Sequence, residues 1–256
     1  MISVFSKNHR LHFGKYELID GQFVTPFECP ERMDRIMERI AKVKLGKVVE
    51  PQEFSLDPIA RVHAPEFIEF MRTAQTSWKQ SHGDTDAMPI CWPTRNFIQK
   101  PPVEIDGKLS YYSFDAGTPI TAGTWPAITA SINVALTGVE LIQSGKKSVF
   151  SACRPPGHHA ATDIYGGYCF FNNAAVAAQA LLDRGAGRVA LLDVDYHHGN
   201  GSQSIFYDRA DVLYVSLHGD PRQEFPYFLG YADETGTQTG EGYNCNFPLP
   251  WGTRWD

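Results

Sequence analysis

Two pairs of adjacent histidines, each placed after an apolar run, are the residues of this sequence best suited to chemistry. His158 and His159 lie in CRPPGHHA, and His197 and His198 lie in DVDYHHGNG. Adjacent imidazoles at the end of a strand are poor core residues and useful acid–base groups. Asp195 and His197 are two residues apart, so an extended backbone would place both side chains on one side. This spacing predicts a carboxylate–imidazole pair that can chelate one metal ion.

Zinc is the metal that these donors favour. A carboxylate oxygen and an imidazole nitrogen both suit zinc, and a catalytic zinc ion keeps three protein ligands and one open position. We therefore predict Asp195 and His197 as two of the three ligands. The alternative is that Asp193 and Asp195 cap a loop while His197 and His198 form a hydrogen-bonded turn, as is common after a strand. The two histidine clusters together favour the metal site.

The elements that must position these residues follow a β-α-β rhythm. Strands are predicted over Ser148–Arg154, Arg188–Val194 and Asp211–Leu217, with a helix over Asn173–Asp183. The fold class is predicted to be α/β, with an open, mostly parallel central sheet flanked by helices. Ligands bind such sheets beyond the carboxyl ends of the strands, where the histidine clusters lie. Earlier predicted elements are the strands Ile2–Phe5 and Val48-Val49 and the helices starting at Pro30 and spanning Pro65–Trp78 and Trp125–Ile142.

Residues 1–256 are expected to form one domain that contains a long inserted loop over residues 81–123. This stretch is rich in Pro, Gly, Asp and aromatic residues and has no sustained periodicity. Long structured loops are usually functional. The alternative is a loosely ordered surface insertion, although the aromatic content is high for a disordered segment.

Composition narrows the choice of partners and compartment. The net charge is −6 and no Lys/Arg run stands out, which argues against nucleic-acid and membrane partners and favours a cationic ligand. Five cysteines at wide spacings indicate reduced thiols, so a cytoplasmic location is expected. The first residues show no signal peptide, and no apolar stretch approaches the ~20 residues of a membrane span.

Four segments in order resemble the signature segments of the histone deacetylase family, within the arginase/deacetylase superfamily. They are RPPGHHA, GGYCFFNNAAVAA, LLDVDYHHGNG and VSLHGD. The N-terminal segment VFSKNHRLHFGKYELIDGQFVTPFECPERM and the segment SYYSFDAGTPITAGTW look most like those of the bacterial acetylpolyamine amidohydrolases.

The resemblance implies a role for each residue of the two histidine clusters. Asp195 and His197 match zinc ligands, His159 matches the general base, and His158 matches its electrostatic partner. Asp193 would hydrogen-bond His158 and favour its charged form. A further match is Asn200, which would orient His159 without adding a charge.

Three further pairs are implied around this centre. Gly167 and Tyr168 match residues that line the acyl tunnel, where the alternative for Tyr168 is an ordinary core aromatic. Ser216 and Leu217 match a structural potassium site that also uses Asp193 and backbone groups of Asp195 and His197. In the long loop, Asp106 and Asp115 could meet a cationic amine at the tunnel mouth, or be solvated loop carboxylates.

The same resemblance predicts a domain that is incomplete at its C-terminus. In the family the third zinc ligand is a downstream aspartate, and a carbonyl-polarising tyrosine follows it. Both would lie beyond Asp256. Asp220, Asp233 and Asp256 are candidate substitute ligands that the spacing does not distinguish.

The expected function is zinc-dependent hydrolysis of the acetamide bond of N-acetylated polyamines. One alternative is an acetyl-lysine protein deacetylase, and another is a non-catalytic protein that binds amines or acetylated ligands. A manganese ureohydrolase is disfavoured because that relative uses a D-x-H-x-D order. The loop over 81–123 is a predicted homodimer contact that would wall the tunnel.

Overall fold

The structure is a computed structural model, and it describes residues 1–254. Its strands are β1 (Ile2–Val4), β2 (Glu17–Ile19), β3 (Gln22–Val24), β4 (Val48–Val49), β5 (Val149–Ser151), β6 (Val189–Asp193), β7 (Val212–Gly219) and β8 (Asn244–Leu249). Its α-helices are α1 (Pro30–Lys42), α2 (Asp57–Ala60), α3 (Pro65–His82), α4 (Ile105–Tyr112), α5 (Thr124–Gln143), α6 (Asn173–Asp183) and α7 (Asn200–Phe206).

The strands pair in two parallel sheets and one hairpin. One sheet has the order β4-β1-β5 and the other has the order β6-β7-β8, and every pair in them is parallel. The antiparallel hairpin β2-β3 turns at Asp20-Gly21, where both residues have positive φ. The expected α/β class with parallel strands flanked by helices is confirmed. The described strands form two three-stranded sheets, where a single central sheet was expected.

Helix α5 is the central core helix. Its residues Ile128, Ile132 and Leu136 recur every fourth position and are almost fully buried. Among the described residues, α5 alone is long and apolar enough to cross a membrane by length and composition, and 61% of that stretch is buried inside the protein. Helix α6 packs against α5, and it lies between the two histidine clusters in the chain.

The helical spacing of apolar residues matches their burial well in α3 and only in part in α1. Phe67, Phe70 and Met71 of α3 are buried. In α1, Ile40 is buried but Ile36 is 38% exposed, and Val43, directly after the helix, is 45% exposed. The apolar stripe of α1 is therefore wider than the surface that covers it.

The segment 81–123 is not the uniform loop that its composition predicts. Helix α3 continues to His82, and α4 forms inside the segment. Ile105, Leu109 and Tyr112 are the buried residues of α4, at i, i+4 and i+7 spacing. This helical repeat lasts only two turns and is flanked by proline and glycine, which is why no sustained period is visible in the sequence.

Candidate active site

The histidine clusters meet in a cavity of about 620 Å³ at the carboxyl ends of the strands. His158 and His159 follow β5, while Asp195 and His197 follow β6. The cavity wall also includes Gly167 and Tyr168, from the turn that precedes α6. The predicted catalytic, tunnel and zinc-binding residues therefore come together, with Asp193 and Asn200 directly behind the histidines, although more than 30 residues separate the two clusters in the chain.

The two adjacent histidines contact different kinds of partner. His158 Nδ1 lies 2.9 Å from Asp193 Oδ2, and since a carboxylate only accepts, this nitrogen is the donor. His159 Nδ1 lies 2.6 Å from Asn200 Oδ1, which is also an acceptor. Each imidazole thus carries its proton on Nδ1, and Nε2 is free to face the cavity. The two ring centroids are 4.0 Å apart.

The surroundings of His159 favour its neutral form. Burial lowers its pKa well below the ordinary value, the neighbouring His158 lowers it further, and the hydrogen bond to Asn200 opposes this only in part. For Asp193, burial raises the pKa, but the hydrogen bond and charge of His158 outweigh it, and the pKa is lowered. The pair therefore combines a neutral imidazole with an imidazole bound to a carboxylate.

Asp195 and His197 place a carboxylate and an imidazole side by side. Asp195 Oδ1 lies 3.4 Å from His197 Nδ1 and accepts the His197 backbone N–H at 2.8 Å. Burial raises the pKa of Asp195, but the hydrogen bonds from His197 outweigh it and leave the pKa far below its usual range. Both side chains are partly exposed to the cavity, as an ion-binding pair must be. The ionised oxygen and the imidazole nitrogen fit zinc as donors.

A third donor does not join this pair within residues 1–254, where no group of three His, Cys, Asp or Glu side chains is close enough to hold a metal ion. Asp220, one of the candidate substitutes, pairs instead with Arg222. Asp256, another candidate, lies outside the described residues. A typical catalytic zinc site has three protein ligands, and the described residues place only two candidate donors, Asp195 and His197, side by side.

The turn at Gly166-Gly167-Tyr168 forms one side of the cavity and requires glycine at its centre. All three residues have positive φ, and a Cβ atom on Gly167 would lie 2.2 Å from His159 Cδ2. Only glycine lets the backbone approach the His159 ring so closely. This geometry explains why Gly167 lines the cavity, as predicted, and why Tyr168 extends beside it.

Asp115 and Thr118 hold this turn through hydrogen bonds to its backbone. Asp115 Oδ2 accepts the Gly167 N–H, and Asp115 Oδ1 accepts the Gly117 N–H at 3.0 Å. Thr118 Oγ1 accepts the Tyr168 N–H at 2.9 Å and donates to Asp115 at 3.2 Å. Burial raises the pKa of Asp115 despite these bonds. Asp115 lines the cavity as expected for a substrate contact, but its oxygens already serve the backbone.

The structure separates Asp106 from the site. It lies on α4, 2.9 Å from His82, and it does not line the cavity. The reason is that Asp106 lies in the first turn of a helix that packs on α3, which the sequence alone did not reveal.

Comparison with known proteins identifies the relatives of this site. The histone deacetylase domain family matches residues 26–256. The chain belongs to the histone deacetylase family. Acetylpolyamine amidohydrolase 2 of Pseudomonas aeruginosa is 61% identical over 255 residues, which cover 100% of this chain and 74% of that protein. Acetylpolyamine amidohydrolase of Mycoplana ramosa is 46% identical, over 98% of this chain and 73% of that protein.

Among solved structures, the acetylpolyamine aminohydrolase from Burkholderia pseudomallei superposes with a TM-score of 0.92 at 37% identity. The alignment covers 99% of this chain and 73% of that one. The resemblance read from the four motifs is thereby confirmed. The histone deacetylase family is generally zinc-dependent, in agreement with the donor chemistry of Asp195 and His197.

The residues predicted to bind potassium lie on the neighbouring strands β6 and β7. Ser216 of β7 is the register partner of Asp193 in β6, and it is fully buried. Its hydroxyl lies 2.7 Å from Nδ1 of His218, which is also buried. Leu217 follows in the same strand.

Two aromatic residues of the site escaped the sequence analysis. The Phe225 ring lies 5.1 Å from His159 and 5.9 Å from His197, both edge-on, and Tyr227 lines the cavity beside it. The available signal was the aromatic cluster EFPYFLGY, which is separated by six residues from the third predicted strand. Its phenylalanines cannot bind a metal ion or act as a base, so their residue types alone did not point to the site.

Proposed function

We propose that this chain hydrolyses the acetamide bond of acetylated polyamines, releasing acetate and a free amine. The observation that carries the proposal is the His158–His159 pair with its unlike partners, set in one cavity beside Asp195 and His197. Several relatives over the full length of the chain are named for this activity. Metal-assisted amide hydrolysis uses a base, an electrostatic partner and a Lewis acid, and the cavity offers two histidines for the first two and donors for a metal ion.

Zinc is the proposed cofactor, with Asp195 and His197 as two of its ligands. When bound, the ion would supply Lewis-acid chemistry that activates water and polarises an amide carbonyl. Potassium is the second proposed ion, held by oxygens of Asp193, Ser216 and Leu217 with backbone groups of the ligand segment. The adjacency of Asp193 and Ser216 across the β6-β7 ladder supports that site.

His159 acts as the base in this proposal. Its Nδ1 proton is held by Asn200, so Nε2 can take a proton from the attacking water and later pass it to the leaving amine. His158, whose Nδ1 proton is held by the Asp193 carboxylate, can carry positive charge next to the developing oxyanion. Gly167 and Tyr168 form the walls for the acetylated end of the amine.

The direct test is acetate release from an acetylated diamine by the zinc-loaded protein. We expect turnover that a chelator abolishes, and a loss of about 10²- to 10⁴-fold in kcat for His159→Gln, the range that general acid–base catalysis supplies. Turnover that persists in chelator would refute the zinc mechanism. An acetyl-lysine peptide measured in parallel distinguishes a protein deacetylase, which would prefer the peptide.

The loop within 81–123 supports a proposed homodimer. Phe97 is 72% exposed and Ile98 is 99% exposed, although solvent is an unfavourable environment for both. Replacing both with serine should halve the mass measured by light scattering, whereas Val43→Ser, at an exposed apolar position directly after α1, should not. An unchanged mass for the loop variant would contradict the dimer contact.

A cytoplasmic location is proposed from the cysteines. All five are free thiols in the structure, namely Cys29, Cys91, Cys153, Cys169 and Cys245. Acid-trapping followed by thiol labelling of the denatured protein from its native cells should modify all five. Fewer labelled thiols would indicate an oxidising compartment.

A further inference from the structure

The segment between β7 and β8 places an aromatic wall against the catalytic histidines. Phe225 contacts the rings of His159 and His197 edge-on and stacks on Phe114 at 5.7 Å. Tyr227 continues the wall, and its φ is +67°. Residues 225–234, which we term the aromatic loop, have no regular secondary structure. Something other than a helix or strand ladder must fix the Phe225 ring in place.

Glu234 closes the aromatic loop on itself. Its carboxylate accepts the backbone N–H of Gly230 at 2.9 Å and that of Tyr231 at 3.2 Å. The same carboxylate accepts the side-chain N–H of Gln203 at 2.5 Å. Gln203 is 4% exposed and lies on α7, whose first residue is Asn200, the partner of His159. Glu234 therefore connects the aromatic loop to the helix that orients the proposed base.

The sheet holds Gln203 from the other side. Its side-chain oxygen lies within 3.0 Å of His198 Nε2, Asn244 Nδ2 and Asn246 Nδ2, all on buried side chains. Asn246 Nδ2 also donates to the Tyr231 carbonyl at 3.2 Å. With that oxygen surrounded by donors, the amide nitrogen of Gln203 must point to Glu234. These hydrogen bonds thus determine the orientation of the Gln203 side chain and of its contact with Glu234.

Gly230 shows how closely the aromatic loop approaches this network. Its φ is +105°, and a Cβ atom there would lie 2.7 Å from His198 Cγ and 2.9 Å from His218 Nε2. The His218 ring donates to the Gly230 carbonyl at 2.8 Å. Both backbone groups of Gly230 are therefore held by side chains, the buried His218 and the partly buried Glu234, which restricts the aromatic loop.

We infer that Glu234 and Gln203 are positioning residues that set Phe225 against the catalytic histidines and thereby determine how tightly the substrate chain is held. The inference rests on the proposed function. Neither residue lines the cavity that holds the histidine clusters. Their effect reaches the cavity through the aromatic loop, so it should appear in KM more than in kcat.

The test is Glu234→Gln in the zinc-loaded protein, with Glu241→Gln, at an exposed glutamate, as the matched control. Three donors face the Glu234 carboxylate, and an amide offers them one oxygen and an opposing N–H₂ group. We expect KM for an acetylated diamine to rise about tenfold with kcat changed less than about threefold, as for a small misplacement of a binding wall. Amide hydrogen exchange at Gly230 and Tyr231 should accelerate, and the control should match wild type.

A double-mutant cycle with Phe225→Ala separates positioning from general destabilisation. If Glu234 acts through Phe225, adding Glu234→Gln to Phe225→Ala should raise KM no further. Additive KM effects, or a lower active fraction at unchanged KM, would overturn the inference.

Asn246→Ala serves if Glu234→Gln does not fold, because it removes one donor to the Tyr231 carbonyl. It should give a smaller KM increase in the same direction, and an unchanged KM would also overturn the inference. Inactive wild-type protein would instead refute the proposed function. The amide exchange rates of Gly230 and Tyr231 would still show whether Glu234 holds the aromatic loop.

Discussion

At the scale of single residues, the two catalytic histidines differ in the charge of the group behind each one. Asp193 is a carboxylate and Asn200 is an isosteric neutral amide. We expect Asn200→Asp to raise the pKa of His159, because a carboxylate favours the charged imidazole. A base that stays protonated to higher pH loses activity from the acid side. The acidic limb of the kcat/KM profile should therefore move to higher pH.

The matched control is Asn96→Asp, which adds the same charge at an exposed position. It should leave the profile of the zinc-loaded protein unchanged. An acidic limb that stays in place in Asn200→Asp would mean that His159 is not the group that the profile reports.

Gly167 offers a second test at this scale. Gly167→Ala would place a methyl group inside the His159 ring and force a non-glycine residue to φ +56°. We expect a stability loss of about 1–2 kcal/mol from the backbone and a loss of at least about 10²-fold in kcat from the displaced base. Gly185→Ala is the control, since φ is +96° and nothing lies within 4 Å. Gly185→Ala should lower the free energy of unfolding measured with denaturant and leave kcat unchanged. Equal losses of kcat in Gly167→Ala and Gly185→Ala would contradict the steric argument.

The residues that sequence analysis found are those whose chemistry is visible without contacts. Residue type and spacing alone indicate acid–base chemistry for two adjacent histidines after a strand. They likewise indicate metal binding for Asp195 placed two residues before His197. Asp115 was a candidate from its charge, but its role in holding the turn was not visible, because its partner Gly167 is 52 residues away and the bond uses the backbone N–H. Phe225 was missed altogether, since its role depends only on its contacts in space.

At the scale of elements, the end of the long loop acts as a clamp on the Gly166–Tyr168 turn. Thr118→Val keeps the shape of the side chain and removes the hydroxyl that accepts the Tyr168 N–H. A buried donor left unsatisfied costs about 1–3 kcal/mol, and we expect kcat/KM to fall about tenfold as the turn loosens. Thr129→Val is the control, because its hydroxyl donates only to carbonyls of its own helix. Equal losses in both variants would mean that the clamp is not specific.

Elements with a long repeat were predictable, and short ones were not. Helix α6 spans the predicted residues, whereas the β2-β3 hairpin was missed although Asp20-Gly21 is a typical hairpin turn. Its strands are three residues each, too short to show alternation. Helix α7 was missed because it begins inside the histidine motif, where functional residues replace the helical pattern.

At the scale of the whole molecule, buried histidines make the fold sensitive to acid. His9, His12 and His63 are all nearly inaccessible to solvent. Burial lowers the pKa of His9 to about 4, that of His12 to about 3 and that of His63 to about 4, with Arg154 contributing for the first two. These imidazoles stay neutral in the folded protein down to pH values at which the unfolded chain has already bound protons.

The sign of the effect follows from that difference. Because the folded pKa values lie below the ordinary value of about 6.5, stability is complete above pH 6.5 and is lost as the pH falls towards 4. Each of the three histidines should contribute up to about 1.4 kcal/mol per pH unit to the slope of the free energy of unfolding. Denaturant unfolding measured from pH 7 to pH 5 gives this slope.

His63→Gln tests the contribution of one histidine. It keeps an acceptor for the Asn172 N–H, which His63 Nε2 accepts at 2.9 Å in the wild type, and it removes one titrating group. The variant should therefore lose less stability on acidification than wild type. The difference should persist at high salt, because desolvation, unlike surface charge interaction, is not screened. Identical slopes for both proteins would show that His63 is protonated in the fold or that the unfolded chain does not take up the proton.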